Sequence, residues 1–110
     1  NSPTLNIKNF PSNQAISSKT CAVLRNYMKN VVENGTGFNA QYKSQTAGKT
    51  ATAQSGIYVD GKEQLNTWFV GFYPYDNPKY SIVVMREGGK SGAGDCCPVF
   101  RTIVEKIDNM

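Results

Sequence analysis

Residues 49–74 read KTATAQSGIYVDGKEQLNTWFVGFYP, and the fold turns on this stretch. Lys49 to Val59 is rich in Thr, Ala, Ile, Tyr and Val, the composition of a strand. Asp60-Gly61 is a two-residue turn signal, and Asn66 to Tyr73 reads as a second strand. Working outward, Pro74-Tyr75-Asp76-Asn77-Pro78 is another turn and Tyr80 to Arg86 a third strand. Its unbroken apolar run, Ile82-Val83-Val84-Met85, predicts burial on both faces. Successive strands joined by short turns form an antiparallel sheet.

Helices flank the strands. Ser17 or Ser18 can cap the first, on which Leu24, Tyr27 or Met28, and Val31 recur at helical spacing. Asn34-Gly35 ends it, with Gly35 suited to a left-handed stop. The sequon Asn34-Gly35-Thr36 is read as part of this helix stop rather than as a glycosylation site. Gly88 to Asp95 reads as a glycine-rich loop. Pro98 then opens a last helix with Phe100, Ile103, Val104 and Ile107 on one stripe. The expected class is α+β: an antiparallel sheet of about three strands, with an N-terminal and a C-terminal helix packed on one face. Residues 1–16, with two prolines and four asparagines, form a lead-in with one short extended piece at Leu5 to Phe10. Residues 17–110 form the folded unit.

Composition narrows the function. At 110 residues the chain holds one modest core, burying roughly 65% of its unfolded surface. Apolar residues at 39% and charged residues at 18% exclude a disordered tail, a collagen-like repeat and a coiled coil. The longest apolar runs are too short to span a bilayer, and no segment reads as a signal peptide. The net charge of +4 is scattered from Lys8 to Lys106 without clustering, which argues against nucleic acid as a partner. Histidine is absent. That removes Ser-His-Asp and Cys-His hydrolases and most zinc enzymes, so neither metal nor cofactor is expected. Cys21, Cys96 and Cys97 are odd in number and lack redox or metal spacing, so they read as small part-buried thiols.

Chemistry concentrates in Thr46-Ala47-Gly48-Lys49-Thr50-Ala51-Thr52-Ala53-Gln54. A phosphate-loop reading of Gly48-Lys49-Thr50 fails, because Lys43 stands where that motif needs glycine and a strand, not a helix, follows. The segment instead resembles the Lys-Thr-Gly element of penicillin-interacting serine enzymes. AGKTATAQ is similar to the AGKTGTAQ of class B penicillin-binding proteins, and WFVGFYP to their FVGFAP. Residues 31–37, VVENGTG, resemble the segment before the motif strand, and Cys97-Pro98-Val99-Phe100 the family's Ala-Pro-Val-Phe. The resemblance runs from about Ile16 to Ile107, with four motifs in order at compatible spacing.

On a strand, Thr50 and Thr52 share one face and Lys49 takes the other. Two hydroxyls two residues apart can bond one carboxylate. The resemblance implies that this is the C-terminal carboxylate of a D-alanyl-D-alanine stem peptide, or that of a β-lactam. It further implies that Lys49 lends charge and proton transfer beside a serine nucleophile, and that the Thr52 backbone N–H supplies half of an oxyanion hole. Thr50, Ala51, Thr52 and Gln54 are the substrate-binding positions so implied.

Two departures stand out. Ala51 replaces the motif glycine, a position that favours close backbone approach to a ligand. Neither Ser-x-x-Lys nor Ser-x-Asn occurs in residues 1–110. The chain is therefore expected to be a fragment of a peptidoglycan D,D-transpeptidase, missing the N-terminal part of its own domain and inactive alone. The parent is expected on the outer face of the bacterial membrane, held by an anchor, with this chain soluble. Tyr80 to Arg86, without the strand that pairs with it in the family, is a possible self-association edge. Alternatives are a serine β-lactamase, a β-lactam sensor domain, or a non-catalytic binding or scaffold domain of the same fold.

Overall fold

Asp60 and Gly61 both take positive φ, 52° and 77°, the twist that a two-residue hairpin loop demands. In the computed structural model, which describes residues 12–110, this turn joins the two long strands of the sheet. In chain order the elements are α1 (Ser18–Asn34), a 3₁₀ turn (Phe38–Ala40), β1 (Ala47–Val59), β2 (Lys62–Tyr73), β3 (Tyr80–Gly89), α2 (Gly92–Asp95) and α3 (Cys97–Asp108). The expected extended piece at Leu5 to Phe10, and most of the lead-in, lie outside the described residues.

The sheet is antiparallel in the order β1-β2-β3, so both outer strands have one edge free of strand partners among the described residues. Each strand runs longer than its sequence signal. β2 starts at Lys62 rather than Asn66, because the tight Asp60-Gly61 turn lets pairing begin at once, with Val59 opposite Lys62. A bulge at Gly56 (φ 77°) shifts the register between Gln54 and Tyr58. Ser55 Oγ there donates to the Gln64 carbonyl, and the Gly56 N–H donates to Glu63 Oε2 at 2.9 Å.

The core lies on one face of β2. Thr67, Phe69, Gly71 and Tyr73 alternate inward, and α3 covers them with Cys97, Phe100 and Val104. The Phe69 and Phe100 rings meet edge to face, 4.7 Å apart at 61°. Each fully buried ring contributes about 1.5–3 kcal/mol through burial. Gly71 is required by this packing, since a Cβ there would lie 2.6 Å from the Ala47 carbonyl oxygen and 2.8 Å from Phe100. Gly48 is required on the same face, where the Phe69 ring occupies the place a Cβ would take.

Helix α1 joins this core through Val32, at its C-terminal end. Its N-terminal half leans over the opposite face, with the Arg25 guanidinium 5.9 Å from the Phe72 ring and 4.9 Å from Tyr75. Ser17 caps the helix as expected, accepting the Thr20 N–H at 3.1 Å. The expected apolar stripe holds at Met28 and Val31, both half-buried, but not at Leu24, which like Tyr27 is exposed (46% and 63%), while Arg25 and Val32 turn inward beside it. The cause is Arg25, whose stacking over two aromatic rings takes a place that periodicity reserves for an apolar side chain.

Other expectations are corrected too. Gly35 ends α1 in an extended conformation (φ −123°), not a left-handed one. Glycine is favoured there because a Cβ would lie 3.0 Å from the Val31 carbonyl oxygen. The run in β3 is not buried on both faces: Val83 and Met85 are 59% and 43% exposed, and only Ile82 and Val84 pack against the core. No element covers the second face of this edge strand among the described residues, so the run buries only alternate side chains. The glycine-rich stretch contains the single helical turn α2, closed by the Gly94 N–H donating to Ser91 Oγ at 3.0 Å. Cys96 and Cys97 are buried as expected, and burial pushes the Cys97 thiol up to about 11. Cys21 is exposed instead, because its position on α1 faces solvent.

Asp108, at the end of α3, ties three segments together. It accepts from the Tyr73 hydroxyl at 2.7 Å, the Tyr42 hydroxyl at 2.9 Å and Lys43 Nζ at 2.9 Å. These donors, Tyr73 first, hold its carboxyl at about 2. A carboxylate whose folded value lies below its unfolded value of about 4 stabilises the fold above that pH. The contribution is lost as pH falls from about 4 through about 2. Melting temperature followed against pH is expected to drop in this window, and Asp108→Asn is expected to lower it at pH 7 while converging with the parent near pH 2. A constant gap between the two down to pH 2 would contradict this.

Candidate functional site

Strand alternation and pairing fix the motif side chains on β1. Thr50 and Thr52 stand opposite Phe69 and Thr67 and share their face. Lys49 and Ala51 stand opposite Val70 and Trp68 on the other. All of Lys49, Ala51, Thr52 and Gln54 are exposed, and Thr50 is half-buried. The five positions lie along the strand edge that pairs with no other strand among the described residues. They therefore share one open border rather than converging in a cavity.

Lys49 Nζ donates to the Thr50 carbonyl at 2.9 Å, and no carboxylate lies within ion-pair distance of it among the described residues. Its charge is thus uncompensated at the sheet edge. The Thr50 hydroxyl sits 2.9 Å from the hydroxyl of Thr36, which follows α1. Thr36 carries no helical or strand signal of its own, and the sequence points to it only through the Asn34-Gly35-Thr36 sequon and the VVENGTG segment.

The strand is braced from beneath by the β3–α3 connection. Gly92, buried, approaches so closely that a Cβ would lie 2.4 Å from the Trp68 carbonyl oxygen and 3.2 Å from Thr50 Cβ. Asp95 holds this connection in place. Its Oδ2 accepts the N–H groups of Lys90 at 2.6 Å and Ser91 at 2.9 Å, and its Oδ1 receives Arg86 at 3.3 Å. The Ser91 and Lys90 N–H groups, in that order, are the main causes that draw the Asp95 carboxyl below the usual carboxylate range. The buried Thr67 hydroxyl completes the link to Asp95 at 3.4 Å, and the Cys96 thiol donates to the Thr67 carbonyl at 3.3 Å. The one sequence signal for Asp95 is a lone carboxylate at the end of a glycine-rich stretch.

Two depressions lie elsewhere. One of about 380 Å³ is bounded by Ile16, Cys21 and Arg25 among others, and one of about 270 Å³ by Arg25, Phe72 and Pro78. Both sit on the α1 side of the sheet, away from the Lys49 edge. No group of three potential metal ligands occurs among the described residues, and no helix there is long and apolar enough to cross a membrane. Chemically, the β1 edge offers a cation, two hydroxyls and strand N–H groups, a set suited to an anionic, extended ligand.

The family model for the penicillin binding protein transpeptidase domain matches residues 8–105. The chain is 34% identical to peptidoglycan D,D-transpeptidase FtsI of Buchnera aphidicola, over 93% of this chain and 19% of that protein. It is 33% identical to peptidoglycan D,D-transpeptidase MrdA of Haemophilus influenzae, over 71% of this chain and 14% of that protein. Among solved structures it is similar to the D,D-transpeptidase domain of a peptidoglycan glycosyltransferase from Eggerthella lenta. That match has a TM-score of 0.74 and 27% identity, covering 96% of this chain and 24% of the other. The chain thus spans less than a fifth of the length of these curated relatives.

Proposed function

The chain belongs to the penicillin binding protein transpeptidase domain family, and on that premise we propose that it supplies the substrate-binding edge of a peptidoglycan D,D-transpeptidase. One observation supports the reading: the KTATAQ segment lies on an outer strand, one edge of which pairs with no other strand among the described residues. Thr50 and Thr52 bind the terminal carboxylate of the stem peptide, or of penicillin. The Thr52 N–H stabilises the oxyanion, and Lys49 lends charge and proton transfer beside a serine held by another part of the domain. Loss of one oxyanion donor costs about 3 kcal/mol of barrier. Ala51 and Gln54, both exposed, line the bound peptide.

In this reading residues 17–110 are the C-terminal subdomain of the transpeptidase domain, and the nucleophile lies outside residues 1–110. The free edge of β3, with exposed Tyr80, Val83 and Met85, receives a strand from the rest of that domain. A second copy of the chain can take its place when that strand is missing. The parent is anchored in the bacterial membrane with its catalytic domain outside.

The 110-residue chain incubated with excess penicillin G is expected to show no mass increase by intact-mass spectrometry. An ordinary serine is a poor nucleophile without an adjacent base. The positioning that lowers barriers by roughly 7–11 kcal/mol in well-oriented systems is also missing. A gain of one drug mass, abolished by replacing a single serine, would place a nucleophile within these residues and overturn the division of labour proposed.

A further inference from the structure

Resting on that reading of the β1 edge, we propose that Thr36 is a positioning residue whose hydroxyl aims the Thr50 hydroxyl at the ligand carboxylate. The two oxygens are 2.9 Å apart, and either one can be the donor. A hydroxyl has one proton to give and two lone pairs to receive. If Thr50 donates to Thr36, it has nothing left to give to an anion. If Thr36 donates to Thr50, the Thr50 proton is free to point outward, toward the open edge. An arriving carboxylate selects the second arrangement, giving a relay from Thr36 to Thr50 to carboxylate. Each bond in the relay polarises the next, and the last is charge-assisted.

The backbone around Thr36 is built to hold this geometry. Thr36 lies between two glycines whose N–H groups both donate to the Val31 carbonyl, each at 3.0 Å. The Phe38 N–H donates to the Gly35 carbonyl at 3.3 Å, and the Ala40 N–H to the Gly37 carbonyl at 2.9 Å. Gly37 is buried so tightly that a Cβ would lie 3.1 Å from the Val31 side chain and 3.4 Å from the Phe69 ring. The end of α1 therefore delivers the Thr36 hydroxyl from a fixed platform, while Thr36 itself is exposed. On the other side Gly92 lies so near the strand that a Cβ there would come within 3.2 Å of Thr50 Cβ.

The test uses the penicillin-binding protein that carries these residues, with penicillin G as the probe. Rapid-mixing acylation separates the dissociation constant of the first, non-covalent complex from the acylation rate within it. Thr36→Val, which keeps the shape and removes the hydroxyl, is expected to weaken the first complex about 3- to 10-fold, the range of one net hydrogen bond. Acylation within the complex is expected to stay within about 2-fold of the parent. Thr36→Ser restores the affinity. In a Thr50→Val background, Thr36→Val has no further effect, because the relay is already broken. Unchanged affinity in Thr36→Val, or full additivity with Thr50→Val, would overturn the proposal while leaving the site reading intact. A parent protein that is not acylated at all would overturn the site reading itself, and the inference with it.

Discussion

Phe100→Ala is expected to remove about 3–5 kcal/mol of folding stability, the loss typical of truncating a fully buried aromatic side chain. Phe100 has no exposed surface and packs edge to face on Phe69 at 4.7 Å. Its ring also fills the space left by the missing side chain of Gly71. Truncation thus opens a cavity bounded by an aromatic ring, a bare strand backbone and Val104, none of which can collapse without moving a strand. Domains of this size are typically stable by only about 5–15 kcal/mol, so the loss is a large fraction of the whole. Urea unfolding followed through Trp68, the sole tryptophan, reads the change. Val99→Ala, next along α3 but exposed, is expected to shift stability by less than about 0.5 kcal/mol. Phe100→Leu, which keeps part of the volume, is expected to cost about 1–2 kcal/mol and remains measurable if the alanine variant does not fold. Near-parental stability in both Phe100 variants would show that α3 is not what holds the sheet.

What the sequence made legible is what short-range chemistry controls. The Asp60-Gly61 turn, the Ser17 cap and the Pro98 helix start each depend on a few adjacent residues, and each appears where expected. The inward set on α3, Phe100 and Val104, follows because that helix packs one stripe on one core. Helix α1 followed its pattern at Met28 and Val31 but not at Leu24, since a cation stacked on Phe72 and Tyr75 takes the inward place beside it. The β3 run misled for another reason: an unbroken apolar string has no period, so it cannot say which of its faces is covered. At the site, Lys49 to Gln54 could be found by resemblance, and their edge position follows from the strand order. Thr36 and Asp95 could not, because their roles come from contacts 14 and 28 residues away along the chain, with Thr50 and Thr67. No local signal records such a meeting.

Lys49→Ala is expected to slow penicillin acylation of the parent protein by about 10²–10⁴-fold, the usual range for losing a positioned group that moves a proton. The residue is exposed on an edge strand, bonded only to the neighbouring Thr50 carbonyl, and without an acidic partner among the described residues. Nothing in the fold therefore depends on its charge, and the variant is expected to keep the parental melting temperature. A structural lysine would behave in the opposite way, losing stability before activity. Two contributions are separable. Lys49→Arg keeps the cation but replaces a compact ammonium by a planar guanidinium that does not serve as a proton carrier. If charge beside the nucleophile dominates, arginine recovers most of the rate, and added salt depresses what remains because an exposed charge is screened over about 10 Å at 0.1 M. If proton transfer dominates, arginine stays nearly as slow as alanine and salt matters little. Acylation of Lys49→Ala at the parental rate would remove Lys49 from the chemistry. In that case the border of β1 would act through Thr50 and Thr52 alone, holding the carboxylate and donating the Thr52 N–H to the oxyanion.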